Sequence, residues 1–107
     1  MDLRRYPRIP FRAAVAFNIK GSEDRRTGEC HDISLGGMFI ETAMPHPFGA
    51  EVVVHVSLPG DALPSALPAV VRWLRNGGMG VQFGLLGAKE THIITEIGRK
   101  HAETAAT

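Results

Sequence analysis

A chain of 107 residues with 12 Lys+Arg against 11 Asp+Glu, five His and one Cys has the size of a single domain and can bury an ordinary apolar core without staples. The lone Cys30 forms no internal disulfide, and no apolar stretch follows Met-Asp-Leu-Arg-Arg or approaches the roughly 18 residues that span a bilayer. Secretory and membrane-inserted readings therefore fall away, and a soluble, cytoplasmic protein is expected, with 44% hydrophobic and 21% charged residues arguing against disorder.

The formal net charge of +1 is unevenly spread: Arg4, Arg5, Arg8 and Arg12 against Asp2 make residues 1–12 net +3 and leave −2 for the remainder. Guanidinium is a planar fork that pairs bidentately and stacks on flat rings, whereas ammonium does neither. In Arg4-Arg5-Tyr6-Pro7-Arg8, Pro7 favours an extended arm over a helix, so residues 1–10 are assigned to a flexible Arg-rich arm. Phe11–Ile19 then alternates, with Phe11, Ala13, Val15, Phe17 and Ile19 on one face, and predicts a half-buried strand. A charged turn over 21–26 leads into a second strand, Thr27–Ile33, which Ser34-Leu35-Gly36-Gly37 interrupts.

Met38–Thr42 resumes as a third strand, and Pro45, Pro47 and Gly49 mark a loop. Glu51–Leu58 is a fourth, with Val52, Val54 and Val56 on one face and Val53, His55 and Ser57 on the other. Three Pro and a Gly make Pro59–Pro68 irregular; Ala69–Arg75 and Met79–Leu85 form a hairpin around Asn76-Gly77-Gly78. From residue 87 to 103 the period changes, with Ile93, Ile94 and Ile97 at helical spacing. Six short antiparallel strands without intervening helices must manage their edges, so the expected fold is all-β: a small six-stranded antiparallel β-barrel over residues 11–86, with a flexible N-terminal arm and one C-terminal α-helix capping an opening.

Enzymatic constellations are missing from this pattern. No phosphate-cradling Gly-x-x-x-x-Gly-Lys-Ser/Thr loop occurs, and Gly78-Met79-Gly80 falls in a hairpin. Cys30 and His31 are adjacent in a strand and point to opposite faces, so no metal site is expected from them. His55 and His92 read as solvent-facing or locally satisfied. Ser34 has Asp32 nearby but no base or oxyanion hole, so a nonenzymatic chain is expected. Asp32-Ile33-Ser34-Leu35-Gly36-Gly37 nevertheless offers a carboxylate, a hydroxyl and backbone that can take positive φ or lie close to a ligand. Taken alone, it also reads as a strand-end turn closed by its own side chains.

Together the two segments resemble the PilZ domain family, whose hallmarks are Arg-x-x-x-Arg and Asp/Asn-x-Ser-x-x-Gly two to three dozen residues apart. Arg4 and Arg8, with Arg5 second, match the first; Asp32, Ser34 and Gly37 match the second. Val70–Leu74 and Gly80-Val81-Gln82-Phe83 are similar to the family's last two strands, so the resemblance covers nearly the whole chain. It implies a receptor for cyclic di-GMP, bound by Arg4, Arg5, Arg8, Asp32, Ser34, Gly36 and Gly37, with no cofactor and no metal.

Such a ligand suits these groups. Arg forks onto the O6/N7 edge of guanine or onto phosphate, and Asp32 is complementary to guanine N1–H and N2–H₂. An arm and a barrel site held apart until the ligand bridges them would act as a clasp. One ligand per chain is expected, because Leu3 precedes Arg4 and supplies no further guanidinium. With no catalytic set and no second domain, output would pass through an unidentified effector protein, the chain being an adaptor and a monomer or weak dimer. Met38, Phe39 or the 45–48 loop offers a contact for it, although core packing is the expected role of Phe39. A PilZ-like module that no longer depends on cyclic di-GMP is the alternative. A nucleic-acid-binding barrel is not expected, since the body is net negative and poor in aromatics.

Overall fold

The computed structural model describes residues 8–60 and 63–106, with side chains in the last helix as far as His101. Six strands, β1 (Ile9–Ile19), β2 (Arg26–Ile33), β3 (Gly37–Glu41), β4 (Glu51–Val56), β5 (Ser65–Arg75) and β6 (Gly78–Phe83), precede helix α1 (Ala88–Ala106). They close into an antiparallel barrel in the order β1-β2-β3-β6-β5-β4, so every strand has two neighbours and no ladder is left open.

The barrel closes around the alternating apolar face of each strand. Val15 and Phe17 from β1, Val52, Val54 and Val56 from β4, and Val71, Met79 and Val81 from the β5–β6 hairpin belong to one buried cluster. Ile94 of α1 joins that cluster, and Leu86 and Ile93 pack against it. A Cβ placed on Gly98 would press on Ile9, so the helix lies against the start of β1, as expected of a cap on one barrel end.

Beyond small shifts at strand ends, two strand starts and one turn depart from expectation. β1 begins at Ile9, so the last part of the assigned arm already belongs to the sheet, Ile9 pairing with Ile33 and Pro10 with Asp32. β5 begins at Ser65 and runs through Pro68, which pairs with Val53 of β4. Proline is tolerated there because the β5–β6 ladder starts only at Ala69↔Phe83, and the Pro68 carbonyl instead accepts from Gly84 N–H at 2.8 Å. In the β5–β6 hairpin Gly77 alone takes left-handed backbone (φ 91°), Asn76 does not.

Register is interrupted between Pro10 and Ala13, between Cys30 and Asp32, and between Val71 and Trp73. On β2 the consequence is direct: Cys30 and Ile33 are both fully buried, with His31 and Asp32 between them, while β3 spends only Phe39 on the same span. His31 and Asp32 therefore both lie on the outer face, which strict alternation does not allow. On β5, Arg72 and Trp73 similarly oppose the single Gly80.

Gly37 sits where β3 meets β6 most tightly: a Cβ there would collide with the Val81 carbonyl oxygen. The close approach, and not a left-handed φ, requires glycine at this position. Gly37→Ala is expected to lower stability by about 1–3 kcal/mol through overpacking against backbone, read as a reduced midpoint in urea unfolding with an unchanged slope.

Candidate functional site

Paired residues place one row of side chains across the outer face: Asp32 of β2 opposite Phe39 of β3, Phe39 opposite Gly80 of β6, and Gly80 opposite Trp73 of β5. Because Gly80 has no side chain, the Trp73 indole lies down on the sheet in the space a Cβ would occupy. Arg8 then reaches across from the other side. Its Nη1 donates to Asp32 Oδ1 at 2.6 Å, and its guanidinium carbon lies 4.9 Å from the centre of the Trp73 ring. Arg75 repeats the arrangement, 4.9 Å from the centre of the Phe39 ring.

Arg8, Asp32, Phe39, Trp73 and Arg75 thus line one open hollow of about 450 Å³. Its chemistry is two guanidinium planes, two aromatic faces and one carboxylate. Arg8 is only 11% exposed while Asp32 is 33% exposed, so the cation is packed against the indole and the carboxylate faces outward. Stacking over Trp73 and a charge-assisted bond to Asp32 hold the Arg8 fork in place without using all five of its N–H groups.

The expected site residues separate into three groups. Arg8 and Asp32 meet in the hollow. Arg4 and Arg5 lie outside the described residues. Ser34, Gly36 and Gly37 form the turn beneath: buried Ser34 Oγ accepts from Gly36 N–H at 3.0 Å and Gly37 N–H at 3.2 Å, and Ser34 N–H donates to the Gly37 carbonyl at 2.8 Å. The Gly36 carbonyl accepts from Phe83 N–H at 2.8 Å, tying the turn to β6. In this arrangement the serine closes the turn that follows β2, just beyond Asp32 and Ile33, and it is not among the residues that line the hollow.

Several expectations need correcting. Arg8 is already bonded to Asp32, so the arm and barrel are joined at this residue before any ligand bridges them. Phe39 faces outward as the floor of the hollow and is not a core residue, whereas Met38 is fully buried and offers no surface. Trp73 and Arg75 were not singled out by the motifs. The available signal was the chain's single Trp beside an Arg-rich strand end, opposite a glycine-rich strand; without the register, nothing ties it to Asp32.

Under Asp32 lies Cys30, fully buried, with its Sγ 3.2 Å from the Asp32 carbonyl. Burial first, and then the Asp32 charge, push the Cys30 thiol up to about 12. His55 bonds Asn18 Oδ1 at 2.7 Å, the local satisfaction expected for it; burial and then the Arg25 charge hold it below the usual imidazole range.

The fold and site define a small closed β-barrel with a cation-and-aromatic hollow on its outer wall. The PilZ domain family model matches residues 2–98, and the chain belongs to that family. No curated protein matches in sequence. Among solved structures, the Bacillus subtilis inhibitor of motility MotI/DgrA superposes with a TM-score of 0.76 at 17% identity, over 96% of this chain and 53% of that one. The PilZ domain with c-di-GMP of YcgR from Escherichia coli gives 0.70 at 17% identity, covering 99% of both chains. The K. pneumonia MrkH–c-di-GMP complex gives 0.72 at 16% identity, over 99% of this chain and 54% of that one. The chain spans about half the length of the motility inhibitor and of MrkH.

Three outcomes follow from the turn and the buried thiol beside it. Ser34→Ala leaves two N–H groups without their acceptor and is expected to cost about 1–3 kcal/mol in denaturant unfolding. Cys30 is expected to resist iodoacetamide at pH 8 in the folded chain and to react on unfolding. Its thiolate is disfavoured only in the folded state, so its contribution to stability is complete below the ordinary pKa of 9.0 and declines as pH rises from there toward 12.

Proposed function

We propose that this chain is a cyclic di-GMP receptor that regulates a partner protein in motility, polysaccharide or signalling output. The observation that carries the reading is the Arg8–Asp32 pair on the Trp73 face. Family membership and the ligand named for the YcgR and MrkH structures support it.

The ligand has two guanines and two phosphates, and the hollow offers a counterpart to each. Asp32 accepts from guanine N1–H and N2–H₂ through the carboxylate oxygen that Arg8 leaves free. The N–H groups of Arg8 not given to Asp32 donate to O6/N7 or to a phosphate, so ligand binding extends the existing bond and need not break it. Trp73 and Phe39 supply flat apolar faces for a base. Arg75 adds a second positive charge beside the phosphates, and Arg4 and Arg5 complete the cationic side from the N-terminal segment. The Ser34–Gly37 turn contributes by fixing where Asp32 stands.

Arg8 is seated beforehand, so the change on binding would come from new contacts of the ligand, those with Arg4 and Arg5 among them. The ligand-bound face is what the partner would read, with one ligand per chain and no catalysis.

Calorimetry with cyclic di-GMP is expected to saturate at one equivalent. Arg8→Ala and Asp32→Ala should each weaken binding about 10- to 100-fold, as loss of a charge-assisted hydrogen bond does. Trp73→Ala should weaken it by a similar factor through lost stacking. Trp73 is the single tryptophan, so its emission should change during the titration and not with GTP. Unaltered affinity in both Arg8→Ala and Asp32→Ala would falsify the assignment and favour a PilZ-like module that works without the ligand.

A further inference from the structure

A second cluster of side chains lies one step along the same two strands, and the nucleotide site does not use it. Glu29 of β2 is paired directly across the ladder with Glu41 of β3. Like charges placed opposite one another on a sheet repel. His31 stands two residues beyond Glu29, on the same outer face by regular alternation across buried Cys30. Its Nε2 is 3.3 Å from Glu29 Oε1 and 3.4 Å from Glu41 Oε1, and the three atoms lie within 4.8 Å of one another. That nitrogen is shielded from solvent yet makes no hydrogen bond. The ring is held in this orientation by Phe39, its centroid 6.0 Å away.

We propose that Glu29, His31 and Glu41 form a binding site for a divalent transition-metal ion of the zinc class. One imidazole nitrogen and two carboxylate oxygens are a mixed N/O donor set that suits Zn²⁺ and its neighbours better than the all-oxygen shells of Mg²⁺ or Ca²⁺. The spacing fits as well. With bonds of about 2.0–2.1 Å, neighbouring ligand atoms around a tetrahedral zinc stand about 3.3 Å apart, which is the separation His31 Nε2 keeps from each carboxylate. Only the Glu29–Glu41 edge has to contract, and both side chains are about half exposed and free to turn. Water would take the fourth position. The ion would also neutralise the two facing carboxylates, a task now left to Arg12, whose Nη1 donates to Glu29 Oε1 at 2.7 Å from a position 68% exposed. Arg12 is therefore a competitor for the same oxygen. Buried Cys30 points to the opposite face and takes no part.

Titration of the full chain with Zn²⁺, and separately with Co²⁺, tests this. One equivalent of Zn²⁺ should bind and raise the melting temperature, and Co²⁺ should give the strong visible absorption of a four-coordinate ion. His31→Ala and Glu41→Gln should each lower zinc affinity at least about 10-fold, while His92→Ala on the distant helix should not. Arg12→Gln should strengthen binding by freeing Glu29, an effect that a purely structural cluster would not produce. Mg²⁺ should neither bind nor compete. If zinc fails to bind, or binds equally well to the parent, His31→Ala and Glu41→Gln chains, the site is not a metal site and His31 serves as the hydrogen-bonding or cationic partner of the two glutamates.

Discussion

One extra residue in β2 governs the outer wall of the barrel. Cys30 and Ile33 both have to face inward, because each is fully buried against β3 partners, Ile40 and Met38, that are buried too. Two residues then share the outward step that β3 fills with Phe39. His31 turns toward Glu29 and Glu41, and Asp32 turns toward Arg8. Restoring regular alternation would send one of them into an apolar interior, where an unpaired carboxylate or imidazole is costly. The core therefore enforces the bulge, and the bulge lets Asp32 face outward beside His31, so that the two polar clusters share one wall. Matching interruptions lie on β1, which Arg8 immediately precedes, and on β5, which carries Trp73.

Glycine does the complementary work on the other side of the row. Between Phe39 and Trp73 stands Gly80, and between Glu41 and Arg75 stands Gly78, whose missing Cβ leaves room for the Phe39 ring. Two large aromatic rings can lie flat on the wall only because β6 presents no side chains there. The rings in turn give the two guanidinium groups a surface to stack on, which is how Arg8 and Arg75 come to be held near one another despite their like charge. A polar hollow is thus built out of backbone geometry decided by core packing.

This chain of dependence explains what was legible beforehand. Period-2 alternation in Phe11–Ile19 and Glu51–Leu58 identified strands whose inward residues are the observed core, and the isoleucines after Ala88 identified the helix that places Ile94 in it. Arg8 and Asp32, 24 residues apart, were linked by motif resemblance, and the structure joins them. Alternation, however, assigns Cys30 and Asp32 to one face and cannot register a bulge; it does put Glu29 and His31 on one face, but Glu41 joins them only through the β2–β3 register, so that grouping was invisible. Trp73, Arg75 and Phe39 were missed for a related reason. Their proximity is created by pairing β5 to β6 and β6 to β3, and nothing local to any one strand announces it. Ser34 was legible in both of its readings, and the hydrogen bonds favour the turn.

Electrostatics limits what the described hollow can do alone. Arg8 and Arg75 bring two positive charges and Asp32 removes one, so the hollow is net +1 before a dianionic ligand arrives. Asp32 is nonetheless useful on balance. It holds the Arg8 fork over Trp73 in the free state, so the conformational entropy of a long side chain is already spent when a ligand docks, and preorganisation of this kind raises affinity without a new contact. Its own charge must then be offset from elsewhere, and on the proposed reading Arg4 and Arg5 of the N-terminal segment would do so. On the proposed reading, charge balance gives the two halves of the Arg motif different work: Arg8, packed and paired, defines the geometry of the hollow, and Arg4 and Arg5 would supply positive charge toward a doubly anionic ligand.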